Sequence, residues 1–298
     1  MRIARAASEW SPTDVKPPEQ VSENIPITHP SGDGAKPHTG NVASMESRIP
    51  HRLALAGGWI DQPFVSSHNP APPGSMVVVA LEPGLWFMNR CGMASSTHHV
   101  ATRMWNGVLP SRPREELVRE LYKAENAGKS EPSGSQDMIG LIYPGISRLD
   151  YDSAFEGGIF PSHVESTCDP KIAQWLGTNL HLVPINQRPP GYNPLGVKNF
   201  DARWIRELGE SGKECFDAIL KMDVHCLGAS LNHCMRCWEA ILPHTVAHPT
   251  IDLDLKAILA HFQSRYPGAM YSGCGGGYMI VASEQSVAGS LRVKVHIK

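Results

Sequence analysis

Apolar and polar positions along the chain separate into short strand-like runs and longer helix-like stripes. Residues 76–81 are an unbroken apolar run between Pro72-Pro73-Gly74 and Pro83-Gly84, which predicts a strand held by turns. Residues 53–56 are apolar and end in Gly57-Gly58, which predicts a strand running into a tight turn. Residues 269–272 and 278–281 read as two more strands around a glycine loop. A helix-compatible run covers 98–105, with Ser and Thr placed where N-caps belong. Residues 113–126 predict a strong helix: Pro113 suits the first position, Glu115 and Glu116 the first turn, and Leu117 and Leu121 share a face. Residues 136–143 form another apolar segment. Residues 202–222 carry a helical stripe of Trp204, Ile205, Leu208, Phe216, Ile219 and Leu220, with Gly209 and Gly212 weakening its middle. Residues 225–242 and 252–266 read as further helices, the second with Leu255, Ile258, Leu259 and Phe262 on one face. Separate strands and helices without an internal repeat argue for an α+β or α/β fold.

Residues 1–46 lack this periodicity and are rich in Pro, Ser, Gly and charge, so they read as a disordered or loosely attached tail. The folded part is expected to begin near Ser47. The whole chain has 298 residues, 41% of them hydrophobic, enough for one large domain or two ordinary ones. Its 27 basic and 29 acidic side chains leave a net charge of -2, with no electrostatic footprint for a nucleic-acid backbone. The 76–81 run is far shorter than the roughly 20 residues a bilayer demands, and the N-terminus shows no apolar core of a secretion signal. Seven cysteines, an odd number, fit reduced thiols and a cytoplasmic location. Cys234 and Cys237 form a CxxC near His225, Cys226 and His233, but no second pair stands at finger-like spacing. Ordinary helix cysteines are the preferred reading over metal ligands.

Four short segments carry candidate chemistry. Gly92-Met93-Ala94-Ser95-Ser96-Thr97 stands at an expected helix start, where unpaired N–H groups and the positive dipole end suit a phosphate. A serine hydroxyl there can also ligate Mg²⁺; a plain Ser/Thr cap is the alternative. Ser272-Gly273-Cys274-Gly275-Gly276-Gly277 has four glycines in five positions, as an anion-binding concavity or a flexible hairpin would. Glu125 and Asp137 flank Pro132-Ser133-Gly134-Ser135-Gln136, and a glycine turn can bring two carboxylates together, one for a metal and one for a proton. Solvated surface charges are the alternative. Finally, Pro50-His51-Arg52 leads through the first strand to Gly57-Gly58-Trp59-Ile60-Asp61, placing a carboxylate at a strand end, where ligands bind or an exposed hairpin turns.

The order of these segments, Pro-x-Arg…Gly-Gly-x-x-Asp, Gly-x-x-Ser-Ser, Glu…Gly-x-Gln-Asp and Ser-Gly-x-Gly-Gly-Gly, resembles the GHMP kinase superfamily over residues 48–283. It looks closest to the branch that phosphorylates heptose phosphates and fucose. The resemblance implies a two-domain α+β fold: an S5-like N-terminal domain over 47–150, with a left-handed β-α-β crossover, and a ferredoxin-like C-terminal domain over 151–298. It implies ATP and Mg²⁺ as cofactors and a sugar or sugar phosphate as the acceptor. Gly92, Met93, Ala94, Ser95, Ser96 and Thr97 would cradle the ATP phosphates. Ser96 and Glu125 would hold Mg²⁺, and Asp137 would act as base or orienting carboxylate. Arg52 would supply catalytic positive charge, with Arg90 and Arg103 as the other choices. Gly57, Gly58, Asp61 and Gln136 would sit at the acceptor, and Gly273, Gly275 and Gly276 would close the site. The implied partner is a small molecule, neither nucleic acid nor membrane, and a homodimer is left open. One departure is the short stretch from Asp61 to Gly92, where family members carry a longer insert for the nucleotide base. Trp86 and Phe87 are the candidates to hold the base instead. The same departure supports a rival reading, a nucleotide or metabolite binder without catalysis. The proline-rich segment 188–194 is expected beside the acceptor or as a plain connector.

Overall fold

The computed structural model describes residues 48–84, 87–129 and 131–298, so the expected tail over 1–46 and Trp86 lie outside the described residues. In chain order the elements begin with β1 (His51–Ala54), α1 (Pro63–Ser66), β2 (Gly74–Leu81), α2 (Ser95–Met104), α3 (Arg114–Asn126) and α4 (Gln136–Ile142). They continue with β3 (Ile146–Tyr151), β4 (His163–Thr167), α5 (Pro170–Asn179), β5 (Leu180–Asn186), α6 (Ala202–Leu220) and α7 (Val224–Ile241). The chain closes with α8 (Leu255–Gln263), β6 (Gly268–Gly273), β7 (Gly276–Ala282) and β8 (Leu291–Arg292).

The strands form two four-stranded sheets, one ordered β1-β2-β3-β4 and the other β6-β7-β5-β8. Every ladder is antiparallel, with Leu53 opposite Val79 in the first sheet and Leu182 opposite Ile280 in the second. No two hydrogen-bonded strands among the described residues are parallel, so the β-α-β crossover implied by the resemblance is not formed between neighbouring strands. The division expected at residue 150 falls inside β3, and β4 extends the first sheet to Thr167. The C-terminal segment returns to that sheet, with His296 N–H donating to the Ala80 carbonyl at 2.8 Å.

All eight residues of β2 are buried, because both α4 and α6 pack on it and cover both faces. The glycines that weaken α6 as an isolated helix are what let it dock. A Cβ at Gly209 would meet Gly74 Cα at 2.7 Å, and one at Gly212 would meet the Ser75 carbonyl oxygen at 2.0 Å. The helix backbone therefore lies directly on the strand. On the other side α6 packs against α7, and α7 packs on β6. Two sheets and two central helices thus share one apolar core, which runs from Leu53 and Val79 through Phe216 and Leu231 to Met270 and Ile280.

The helix starts divide into two kinds. At α5, α6, α7 and α8 an aspartate side chain accepts from first-turn N–H groups: Asp169, Asp201, Asp223 and Asp254. At α2, α3 and α4 no side chain caps the helix. The N-cap of α2 is Ala94 in the left-handed region (φ 52°), with Ser95 and Ser96 already helical, so the expected Ser/Thr cap is not there. Helix α2 begins three residues earlier than its apolar pattern suggests.

Gly212→Ala is expected to destabilise the protein by at least about 2 kcal/mol, because the methyl has only strand backbone to push against. A urea midpoint unchanged from the parent would show that α6 stands further from β2 than described.

Candidate active site

A cleft of about 690 Å³ opens where β1, α2, α4 and the glycine loop between β6 and β7 meet. Its centre is Arg52, a buried β1 side chain. Arg52 Nη1 donates to the Gly92 carbonyl at 3.1 Å, and Nη2 donates to Asp137 Oδ1 in a salt bridge. Gln136 Nε2 donates to the same Asp137 oxygen at 2.8 Å. One guanidinium therefore ties the α2 loop to the start of α4. Gly140, on α4, leaves the room it needs: a Cβ there would lie 2.1 Å from Arg52 Cγ.

The two glycine loops close on each other backbone to backbone. Gly92 has φ +82°, and a Cβ on it would meet the Ser272 carbonyl oxygen at 2.5 Å and Gly273 Cα at 2.6 Å. Ser272 Oγ locks the contact, donating to the Cys91 carbonyl at 2.6 Å and accepting from Tyr278 N–H at 2.9 Å. The uncapped N-terminus of α2 and its first-turn serines then face the cleft, a setting that favours an anion.

Beside this loop, Ser96 Oγ donates to Glu125 Oε1 at 3.2 Å. Glu125 is buried at the end of α3, and Lys129 Nζ stands 2.5 Å from the same oxygen. Ser133 Oγ also reaches it, at 3.4 Å. A hydroxyl and a carboxylate side by side are all-oxygen donors, the set Mg²⁺ takes. They fit that ion chemically, with the Lys129 ammonium supplying the countercharge in its place.

Asp61 lies against the turn that precedes α4: a Cβ on Gly134 would meet its Oδ2 at 1.6 Å. Its Oδ1 accepts from Trp59 N–H at 3.2 Å, and its Oδ2 is buried without a partner. Burial first, and then the Asp137 charge, raise the Asp61 carboxyl to a pKa of about 7. The Gly57-Gly58 turn beneath it is held by α7: Gly57 N–H donates to Cys234 Sγ at 3.4 Å, and Trp238 Nε1 donates to the Gly58 carbonyl at 2.9 Å.

Of the residues singled out in the sequence, Arg52, Gly58, Asp61, Gly92, Ala94, Ser95, Ser96, Gln136, Asp137 and Gly273 line the cleft. Glu125 adjoins it through Ser96. Met93 and Thr97 turn into the core instead. Gly57 packs on β2 against the Ser75 carbonyl, Gly275 against the Tyr192 ring and Gly276 against Asn186; none of these three lines the cleft. Phe87 packs edge-on to His51 and Tyr278 with ring centroids 5.1 and 5.9 Å away, and also stays outside the cleft. Arg90 and Arg103 are exposed, so Arg52 is the arginine of the three that enters the cleft. The proline-rich segment contributes Arg188, Asn193 and Pro194 to the lining. Sequence reading missed Lys129 and Lys198 as site cations, and Trp59, Phe64 and Trp238 as apolar lining. The one signal for Lys129 was its spacing of four from Glu125.

The fold places the chain among known structures. A galactokinase from Lactococcus lactis solved with galactose matches with a TM-score of 0.57 and 11% identity over 84% of this chain and 93% of that one. A mevalonate kinase matches with a TM-score of 0.52 and 12% identity over 85% and 99%. A D-glycero-D-manno-heptose 1-phosphate kinase from Bacteriodes thetaiotaomicron matches with a TM-score of 0.51 and 12% identity over 85% and 96%. The chain has the fold of the GHMP kinases. No protein-family model and no curated protein matches the sequence. Within this fold, no helix of the described residues is long and apolar enough to cross a membrane.

The Asp61 carboxyl gives the protein a pH dependence of known sign. Between about pH 4 and its folded pKa of about 7, the folded state keeps a proton that the unfolded chain has released. Stability from this group is complete below that window and falls as pH rises through it, by up to about 4 kcal/mol. Asp61→Asn is expected to flatten the fall, so that the variant melts above the parent at about pH 8. Thermal melts at stepped pH check this, and parallel profiles for the two proteins would contradict it.

Proposed function

We propose that the protein is a small-molecule kinase, transferring the γ-phosphoryl group of ATP to a hydroxyl of a sugar or sugar phosphate with Mg²⁺. The observation that carries this reading is the meeting of the Ser96–Glu125 pair, the Arg52–Asp137 pair and the uncapped α2 loop around one cleft of about 690 Å³. Phosphoryl transfer asks a protein mainly for in-line positioning and for neutralisation of phosphate charge. The first-turn N–H groups of α2 and the hydroxyl of Ser95 receive the phosphates, and Gly92 and Gly273 let the backbone approach them closely. Ser96 and Glu125 hold Mg²⁺, which when bound neutralises charge on the triphosphate. The ion would compete with Lys129, whose ammonium holds the same Glu125 oxygen.

On the acceptor side, Asp137 accepts the hydrogen bond of the reacting hydroxyl, and its proton as the new bond forms. Arg52 fixes the carboxylate through Nη2 and the phosphate loop through Nη1, so base and donor share one anchor. Asp61, Gln136, the Gly58 turn and the aromatic rings of Trp59 and Trp238 form the acceptor wall. Polar groups set against an aromatic face suit a polyhydroxylated ring. Nothing in this assignment needs nucleic acid or a membrane.

One observation favours a second reading. Lys129 already neutralises Glu125 at 2.5 Å, as a scaffold that binds a nucleotide or metabolite without turnover would retain. Calorimetry with ATP and Mg²⁺, followed by a screen for ADP release over sugars and sugar phosphates, separates the two. Release with one acceptor class supports the kinase, and binding without release across the panel supports the binder.

Asp137→Asn is expected to lower kcat by about 1,000-fold while nucleotide affinity stays within a few-fold, since general-base loss is typically worth 10²–10⁴ in rate. A variant that turns over as fast as the parent would remove Asp137 from the role of base.

A further inference from the structure

Glu207 on α6 faces His233 and Cys237 on α7 where the two helices pack, away from the cleft. One carboxylate oxygen, one imidazole nitrogen and Cys237 Sγ lie within 4.8 Å of one another. His233 and Cys237 are four residues apart and so share a helix face. The imidazole is engaged from both sides: Nδ1 is 2.9 Å from Glu214 Oε2, and Nε2 is 3.6 Å from Glu207 Oε2. With Nδ1–H donated to Glu214, Nε2 faces the Glu207 carboxylate, a contact that either a second ring proton or a cation between the two satisfies. Cys237 is fully buried, and its Sγ makes no hydrogen bond among the described residues. The CxxC read from the sequence splits here: Cys234 Sγ turns to Gly57 N–H, and Cys237 turns to α6.

We propose that Glu207, His233 and Cys237 bind a divalent ion of the zinc class, with Glu214 as the carboxylate that orients His233. A nitrogen, a sulfur and one carboxylate oxygen are zinc ligands. Magnesium takes oxygen alone, so the site is chemically distinct from Ser96–Glu125. Zinc bonds of about 2.0–2.3 Å put tetrahedral ligands roughly 3.3–3.8 Å apart, so a triangle whose edges lie within 4.8 Å closes by up to about 1.5 Å. Arg203 holds Glu207 by its other oxygen, Oε1, at 2.8 Å, which leaves Oε2 directed at the site. The carboxylate–histidine–metal arrangement is the usual second-sphere device for fixing the imidazole tautomer. The His233 and Glu207 side chains are 15% and 18% exposed, so an ion can enter, and a water completes the fourth position. Binding converts the Cys237 thiol to a metal-bound thiolate and releases one proton to solvent. Cys237 stands beside Trp238 and one turn from Cys234, the two α7 side chains that hold the Gly57-Gly58 turn. The ion therefore pins α6 to α7 directly behind the cleft wall.

The test uses the full chain, stripped with chelator and titrated with Co²⁺ as a spectroscopic stand-in. A thiolate-to-cobalt charge-transfer band is expected to saturate at one ion per chain and to be bleached by Zn²⁺. It should vanish in Cys237→Ser and persist in Cys234→Ser. Should burial make Cys237→Ser fail to fold, Glu207→Gln, at a partly exposed position, is expected to weaken Zn²⁺ binding at least 10-fold. Glu214→Gln should weaken it about 10–100-fold, as loss of an orienting carboxylate does. No band in the parent, or a band unchanged in folded Cys237→Ser or accompanied by parent-like affinity in both glutamate variants, overturns the proposal. The readout is independent of phosphoryl transfer, so it can fail without the kinase assignment failing, and the reverse.

Discussion

The Arg52 guanidinium is the contact on which the site depends. It comes from the first strand, is almost fully buried, and bonds the Gly92 carbonyl of one helix start and the Asp137 carboxylate of another. Nη1 and Nη2 are matched while Nε is buried without a partner, so breaking either contact would leave a buried, largely uncompensated ion. That makes the placement of the α2 start and of the α4 start one structural fact rather than two. The packing is cut to suit it: Gly140 is absent a side chain where Arg52 passes, and the two glycine loops touch backbone to backbone above it. Asp61 packs against Gly134 with one oxygen unpartnered, close enough to Asp137 for its charge to matter. Two carboxylates facing one basic group divide its charge unequally, and Asp137 holds the direct bond.

Capping follows the same division of labour. Helices α5 to α8 carry aspartate caps, whereas the α2 and α4 starts at the cleft, and the α3 start away from it, have no side-chain cap. Each missing cap costs about 1 kcal/mol of helix stability. The α2 start recovers this if an anion supplies the acceptors instead. The scaffold meanwhile is made rigid by close backbone approach, with α6 seated on β2 and α7 on β6 through Gly228.

Much of this was legible in the sequence, for reasons that differ by element. The 76–81 run was readable because a strand covered on both faces is continuously apolar. The helices α3, α6 and α8 were readable from their stripes, and the four motif segments from glycine, serine and acid in a fixed order. Strands β3, β4 and β5 were not, since Arg148, Asp150 and His181 find partners only in the fold and β4 is largely exposed, with His163 at its exposed start. The α2 start was misplaced because Ser95 and Ser96 look like caps, and only the left-handed Ala94 shows that they are helical. Gly209 and Gly212 read as weaknesses because a sequence records helix propensity and not the strand lying 2–3 Å from the absent methyl. Gly57, Gly275 and Gly276 were assigned to the ligand because a glycine that admits a substrate and one that admits a strand are the same letter.

The position of Lys129 ties the electrostatics of Glu125 to the chemistry proposed for the cleft. Glu125 is buried, and a buried carboxylate needs a counterion. Lys129, which sits partly in solvent, provides one on a long, flexible stem that can withdraw at little cost. Under the kinase reading proposed above, a dication arriving with a triphosphate would bring more charge and firmer geometry than an ammonium and would compete for Glu125 where a monovalent ion would not. The ammonium, released on its flexible stem, would then be free to meet another anion. The resting ion pair and the proposed metal site thus exclude each other, because both use the same carboxylate oxygen.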